Sequence, residues 1–169
     1  MFQYLYYLIV YSILGFLLER IINFIAYGFP YDNSVMIGPW QPLYGLGIVL
    51  AIIIYHVIIK KVIPTHFLRL TLLLVIAIMT TALSEAVTGY GYEALTNLTL
   101  WNYNAFFTCQ SPYVCFVPTS LFGLGSFLTI LFIHPYISMS YKVVPKRFIY
   151  LITILFLSDF MYTLFTLII

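Results

Sequence analysis

The stretch that decides the fold is Gly38-Pro39-Trp40-Gln41-Pro42-Leu43-Tyr44-Gly45-Leu46-Gly47, where a short polar loop meets a long apolar run. Its second half, Leu43–Gly47, returns as Leu-Phe-Gly-Leu-Gly at residues 121–125. Closely spaced glycines in an apolar run are typical of membrane helices, because small residues let helices approach each other closely. Glycine also lets such a helix unwind beside a substrate, so packing and binding both stay open. The stretch therefore predicts packed membrane helices built from a repeated unit.

The composition excludes a soluble globular protein. Of 169 residues, 63% are hydrophobic and 7% are charged, whereas soluble domains carry about a quarter charged residues. A span needs about 20 apolar residues, so the length allows five spans and no separate soluble domain. The net charge of +2 offers no basic surface to nucleic acid, so the expected partner is the lipid bilayer. We predict an all-α, polytopic membrane protein with one transmembrane domain over residues 1–169.

Five apolar runs supply the spans, at about residues 2–26, 42–59, 67–92, 112–137 and 148–169. The first run has no basic residues ahead of it and no cleavage site after it, so we interpret it as a retained span. Basic residues surround the second and fourth connections, and the first and third connections contain none. They are Lys60, Lys61, Arg69, Lys142, Lys146 and Arg147. The positive-inside rule predicts a multi-pass protein of the cell membrane with its N-terminus in the cytoplasm and its C-terminus outside.

An internal repeat links the second span to the fourth. A shift of 78 positions aligns them with eight identities in seventeen positions, including two glycines and a histidine. Apolar composition explains some of the Leu and Ile matches, but it does not readily explain the glycines and the histidine. The predicted unit is a helical hairpin used twice in parallel, as spans one and two and spans three and four, followed by a fifth helix. Transport proteins commonly use such repeats, although duplication of a plain packing unit gives the same pattern.

Ionisable residues inside the apolar runs indicate a polar site. Glu19 and Arg20 lie in the first span and Glu85 in the third, with each carboxylate roughly 23–27 Å from the inner end of its helix. A charge at that depth is costly unless it is paired or hydrated. We predict an outward-facing site that binds a solute headgroup or an ion. It would be framed by Tyr44, Gly45, Trp101 and Tyr103. The alternative is a structural ion pair between Arg20 and Glu85.

Other polar residues predict coupling or partner contacts. Asp159 lies near the middle of the fifth span, with no basic residue at its depth. It would serve proton or cation coupling, or it would be a neutral acid at a helix contact, satisfied by Ser158 or Thr163. His56 and His134 match across the repeat near the predicted cytoplasmic ends. They would contact a partner or simply lie at the membrane interface.

The remaining patterns concern bonds, metals and catalysis. Cys109 lies in the third connection and Cys115 near the start of the fourth span, both on the predicted outer side, and their spacing allows a disulfide without proving one. The histidines show no metal-ligand spacing, so we predict no metal and no cofactor. The chain has no P-loop and no hydrolase nucleophile elbow, so we do not expect ATPase or hydrolase activity from it.

Several of these residues form patterns that resemble a known family. The patterns are Tyr11-Ser12-x-x-Gly15-x-x-x-Glu19, Gly38-Pro39-x-x-Pro42-x-Tyr44-Gly45-x-Gly47, Glu85-x-x-x-Gly89, Trp101-x-Tyr103 and a later Pro135. Over nearly the whole chain they resemble the ABC-transporter type IV membrane proteins, which are small, CmpB-like bacterial proteins. The chain departs from the family at Asn33-Ser34-Val35, where the family has Asn-Arg-Gly, and at Phe16 and Phe122, where it has Trp. The resemblance implies an integral membrane protein with a permease role and a separate ATPase partner.

Three functions are compatible with these observations. The leading prediction is a permease-like membrane subunit that moves a small solute or ion through the outward-facing polar site. One alternative is a non-transporting subunit or scaffold in a larger complex. The other is a membrane enzyme that acts on lipid with the outer carboxylates. The expected partners are an ATPase or another membrane subunit, and a second copy of the chain in a homo-oligomer.

Overall fold

The structure is a computed structural model that describes residues 2–29, 34–104, 109 and 111–168. Within this part of the chain, every regular element is a helix. The five long helices are α1 (Phe2–Tyr27), α2 (Pro42–Val62), α3 (His66–Thr96), α4 (Phe116–Val143) and α5 (Lys146–Ile168). Each helix is long and apolar enough to cross a membrane. The predicted all-α class and the five spans are therefore confirmed.

Large apolar side chains cover the outer faces of these helices. Phe67, Phe116, Leu121, Phe132 and Ile154 are each more than half exposed. A soluble protein rarely exposes so many large apolar side chains, because each leaves apolar area in contact with water. Lipid solvates these faces instead, and the chain is a multi-pass membrane protein.

Two helix ends differ from the predicted spans because local backbone geometry decides them. α3 continues to Thr96 and ends at Asn97, which adopts the left-handed conformation with φ at 58°. A left-handed residue is a common way to end a helix. α4 begins at Phe116 and not at Pro112, since Cys115 just before it is extended, with φ at −135°.

Other span ends differ by a few residues, and some predictions fall outside the described residues. α2 and α4 run beyond their predicted ends, to Val62 and Val143. Polar residues in these last turns do not stop a helix at a membrane interface, where water and headgroups can solvate them. Asn33, Ile169 and part of the predicted third connection, residues 105–108 and 110, lie outside the residues that the structure describes.

The chain divides into two compact units, and the first comprises Met1–Gly45 and Ser138–Ile169. It contains α1, α5 and the corner where the Gly38–Gly47 stretch begins. One buried apolar cluster of this unit comprises Ile9, Met36, Trp40 and Phe156. The Trp40 ring meets the Phe156 ring edge-on, with centroids 5.6 Å apart. The Gln41 N–H donates to the Ser12 carbonyl oxygen at 2.9 Å, which attaches the corner to α1.

The second unit is Leu46–Ile137 and contains most of α2 and α4 and all of α3. α3 and the first part of α4 pack closely against each other. A Cβ at Gly123 would come within 2.6 Å of the Ile78 Cα, so glycine is required at this crossing. Gly89 on α3 likewise leaves room for the Tyr113 ring. Small residues at these two positions permit the close approach, as in other membrane helices.

The glycines matched by the repeat make partly equivalent contacts. Gly45 packs against α1 at Ser12, and Gly123 packs against α3 at Ile78, so each contacts the helix before its own. The next glycine differs, because a Cβ at Gly125 would point into open space. The two units do not coincide with two hairpins, since their boundaries fall inside α2 and α4. The parallel-hairpin repeat and the single transmembrane domain stay predictions.

Candidate functional site

The buried carboxylate of the second unit is Glu85, on α3. Its side chain is 4% exposed. The Thr119 hydroxyl donates to its Oε2 at 2.5 Å, and the Tyr103 hydroxyl donates to its Oε1 at 3.4 Å. Burying a carboxylate is costly unless hydrogen bonds replace those it made with water. Here each carboxylate oxygen has its own hydroxyl donor.

Thr119 in the first turn of α4 links Glu85 to the start of that helix. The Cys115 N–H donates to Thr119 Oγ1 at 3.3 Å, and the Thr119 hydroxyl donates in turn to Glu85. N–H groups at a helix start have no partner inside the helix, so this contact satisfies one of them. Successive hydrogen bonds also polarise one another, which strengthens the bond to the carboxylate. Our sequence reasoning missed Thr119, whose only signal is a threonine four residues after a cysteine at the start of an apolar run.

The connection between α3 and α4 positions the second donor, Tyr103. Its backbone N–H donates to the Pro112 carbonyl oxygen at 2.8 Å. Trp101 Nε1 donates to the Tyr113 carbonyl oxygen at 3.1 Å, and the two rings meet edge-on with centroids 5.9 Å apart. Tyr113 is fully buried, with its ring against Gly89. The connection therefore folds back on itself, and this places the Tyr103 hydroxyl within hydrogen-bond distance of Glu85 Oε1.

A disulfide between Cys109 and Cys115 closes a short loop that contains Tyr113. The Cα atoms of the two cysteines are 4.7 Å apart. The pairing was one interpretation of the sequence, and the structure contains it. Burial raises the pKa of the Tyr113 hydroxyl, and the nearby Glu93 carboxylate raises it further, so this hydroxyl stays protonated at neutral pH. We refer to Glu85, Trp101, Tyr103, Tyr113 and Thr119 as the Glu85 cluster.

The other residues predicted for the substrate site, Glu19, Arg20, Tyr44 and Gly45, belong to the first unit. The Arg20 guanidinium lies 4.7 Å from the centroid of the Phe16 ring, one turn earlier on α1, in a cation–π contact. The Tyr44 ring packs against Gly15, and a side chain at position 15 would overlap the Tyr44 ring. The structure thus brings Glu85 together with Trp101 and Tyr103. It stays a prediction that Glu19, Arg20, Tyr44 and Gly45 belong to the same site as Glu85 and that Arg20 is the ion-pair partner of Glu85.

Asp159 of α5 anchors the corner of the Gly38–Gly47 stretch within the first unit. Its Oδ2 accepts two 2.7 Å hydrogen bonds, from the Gly38 N–H and from Trp40 Nε1. Its Oδ1 accepts a 3.2 Å bond from the Ile37 N–H and a 3.5 Å contact from the Thr163 hydroxyl. All four partners are donors, which suits an ionised carboxylate.

The surroundings of Asp159 differ from the predicted ones. Thr163 is a partner as expected, but the Ser158 hydroxyl donates to the Leu155 carbonyl oxygen of its own helix at 3.0 Å. The principal donors come from a loop and not from a neighbouring helix. Sequence reasoning could not identify them, since backbone N–H groups occur at nearly every residue. The coupling or partner role of Asp159 stays a prediction.

His56 and His134, the histidines matched by the repeat, meet in the second unit. Their ring centroids are 6.2 Å apart, and His134 is buried while His56 is exposed. His56 lies in a π-helical turn at Tyr55–Ile59, and His134 directly follows another at Thr129–Ile133. Such turns are frequent at functional sites. Among the described residues no three His, Cys, Asp or Glu side chains come together as metal ligands. The role of the pair in partner contact stays a prediction.

Comparison with known proteins gives one family and no individual relative. No curated protein and no solved structure matches the chain. The family described as "Putative ABC-transporter type IV" matches residues 6–167, which is nearly the whole chain. The matched range includes all of the second unit, most of the first, the Glu85 cluster and Asp159. The chain therefore belongs to this CmpB-type family of ABC-transporter type IV proteins.

Proposed function

We propose that this chain is the permease-like membrane subunit of a transporter and that the Glu85 cluster is part of its site for a small solute or ion. The family description associates the chain with ABC transporters, and its five apolar helices make it a membrane component. The observation that carries the proposal is a buried Glu85 with a hydroxyl donor on each oxygen. Ionisable residues inside membrane helices commonly mark solute, ion or proton pathways.

The disulfide supports an outward-facing site. Disulfides persist in oxidising surroundings and are rare in the cytosol. Cys109 and Cys115 lie in the connection after α3, and the distribution of Lys and Arg separately predicts that this connection faces the outside of the cell membrane. We infer that the N-terminus is cytoplasmic, that the C-terminus is outside and that the Glu85 cluster lies toward the outer surface.

An ABC-type transporter requires a source of energy that this chain does not encode. The sequence has no P-loop, so a separate ATPase would supply it. That ATPase would contact the cytoplasmic side of the chain. In the membrane orientation that we infer, the exposed His56 lies on this side. A second copy of the chain is a further partner that we propose for the assembled transporter.

A scaffold or other non-transporting subunit is the second candidate, and Asp159 is the observation that favours it. That intramembrane acid is satisfied by four donors from its own unit, which is the arrangement of a structural anchor. Glu85 would then be a second anchor of the same kind. A lipid-acting enzyme has the least support, because the sequence has no hydrolase nucleophile elbow and the Thr119 hydroxyl that donates to Glu85 is buried.

The test compares Glu85→Gln and Thr119→Val with the wild-type protein in cells that carry equal amounts in the membrane. Mass spectrometry then measures the small solutes in the cells and in the medium. Thr71→Val is the matched control, since the exposed Thr71 hydroxyl donates to Phe67 of its own helix. We expect the wild type and the control to change the cell-to-medium ratio of at least one solute several-fold. Both site variants should lose most of that change.

The same experiment separates the two candidates. If folded Glu85→Gln and Thr119→Val proteins retain the wild-type solute profile, the Glu85 cluster has no part in transport. If the wild type itself leaves the profile of cells without the protein unchanged and purifies in a stable complex, the scaffold role is supported.

A further inference from the structure

A shallow groove lies at one end of the first unit, where α1 begins, α4 ends and α5 begins. It encloses about 110 Å³ and is lined by Phe2, Tyr141, Lys146, Ile149 and Tyr150. These three helix ends fall on one face of the membrane in a five-span protein, because successive spans run in opposite directions. The groove therefore opens where the bilayer meets water.

Contacts between the helices hold the walls of this groove. Phe2 meets Tyr150 edge-on, with ring centroids 5.5 Å apart. On the other wall, Tyr6 packs against Tyr141 at 5.5 Å, and its hydroxyl forms a 2.9 Å hydrogen bond with Ser140. Both walls join α1 to a second helix, so the groove is a fixed part of the packing of the first unit.

The groove carries positive charge, and none of the described residues that line it is a carboxylate. Lys146 lines it, and Lys142 and Arg147 lie within five residues of Lys146 in the sequence. Among the residues that the structure describes, none of these three cationic groups has an ion pair or a hydrogen bond. The acidic residues of the chain lie elsewhere in the sequence, at Glu19, Asp32, Glu85, Glu93 and Asp159. Unpaired cations at a bilayer surface attract anionic headgroups.

We propose that this groove binds the phosphate group of an anionic phospholipid. Lys146 would contact the phosphate, and the Tyr141 hydroxyl would donate a hydrogen bond to it. An acyl chain would lie along the rings of Phe2 and Tyr150. A lining of one cation, two tyrosines, a phenylalanine and an isoleucine matches a molecule with a charged head and an apolar tail better than it matches a free anion. The site is separate from the Glu85 cluster and does not depend on the transport role.

The test measures thermal unfolding of the whole purified chain in detergent micelles. The additions are phosphatidylglycerol, phosphatidylcholine or inorganic phosphate. We expect phosphatidylglycerol to raise the unfolding temperature by about 3–6 °C over phosphatidylcholine. Lys146→Gln should remove most of that difference. Lys61→Gln should keep it, because Lys61 is also an exposed lysine but is not among the residues that line the groove.

Each other outcome counts against the proposal. An equal effect of the two lipids, or a wild-type effect in Lys146→Gln, would overturn it. Stabilisation by inorganic phosphate alone would show a free-anion site and rule out the lipid as the ligand. Tyr141→Phe is a second test variant, since it keeps the aromatic ring and removes only the hydroxyl donor. It should reduce the phosphatidylglycerol effect, and native mass spectrometry should find less of this lipid retained by both variants than by the wild type.

Discussion

Replacing Asp159 tests whether one side chain holds the corner at which the Gly38–Gly47 stretch begins. Asp159 Oδ2 accepts short bonds from the Gly38 N–H and from Trp40 Nε1, and Oδ1 accepts one from the Ile37 N–H. Asparagine keeps the size of the side chain and one acceptor oxygen, but it removes the charge. Its NH₂ group must then face one of these donors, so at least one backbone N–H or the indole loses its acceptor.

The expected loss of stability follows from the contacts. Hydrogen bonds to charged groups contribute about 1.5–3 kcal/mol each in soluble proteins, whereas those between membrane helices average about 0.6 kcal/mol. An intermediate value of about 1 kcal/mol for each of the four contacts is reasonable for a half-buried group. Asp159→Ala removes all four and should lower the free energy of unfolding by about 4 kcal/mol. Asp159→Asn keeps two and should lower it by about 2 kcal/mol.

Unfolding in mixed micelles by added dodecyl sulfate, followed by circular dichroism, measures this free energy. Ser158→Ala is the control, because that hydroxyl bonds only its own helix, and it should change the value by less than about 0.5 kcal/mol. Trp40→Phe breaks one of the four bonds that Asp159→Ala removes, so the effects of these two single variants should add to more than the effect of the double variant. An Asp159→Ala protein as stable as the wild type would refute the reasoning.

Two further predictions use the same unfolding measurement. Gly123→Ala puts a methyl group against the backbone of Ile78 and should cost about 1–3 kcal/mol. Gly125→Ala points into open space and should be neutral or stabilising by up to about 1 kcal/mol, so equal effects at the two glycines would contradict the packing described here. Replacing Cys109 and Cys115 with serine should lower the free energy of unfolding by about 2 kcal/mol, the loop-closure value for so short a loop. Thiol labelling of the wild type prepared without reductant should find both cysteines blocked, and free thiols there would contradict the disulfide.

The number and class of the spans could be predicted from the sequence, because a membrane helix satisfies its backbone hydrogen bonds internally and must be apolar along its length. Both properties depend only on residues that are close together in the sequence, so they can be predicted without the tertiary structure. The helix ends were harder to predict, as the start of α4 shows. Phe116 begins that helix because Cys115 is extended and donates to Thr119. Counting apolar residues cannot reveal such a contact.

The candidate site was partly visible in the sequence. A carboxylate inside an apolar run is conspicuous, so Glu85 could be selected without a structure. Tyr103 was also expected to frame the site, but Thr119 was not, and neither could be identified as a hydrogen-bond donor to Glu85, since they lie 18 and 34 residues away along the chain. The glycines of the repeat show the same limit. Gly123 and Gly125 are alike in the sequence, and only the packing against α3 makes the first indispensable and leaves the second unconstrained.

Asp159 and the Gly38–Gly47 stretch show most clearly where sequence information ends. The sequence establishes that an acid lies in an apolar helix and must find partners, and that a glycine- and proline-containing corner precedes a membrane span. Only the tertiary structure decides that these two features meet, across 121 residues between Gly38 and Asp159. The physical reason is that two of the donors are backbone N–H groups, which every residue except proline possesses. Which of them reaches the carboxylate depends on the loop that the fold brings to the helix, and residue types alone do not specify it.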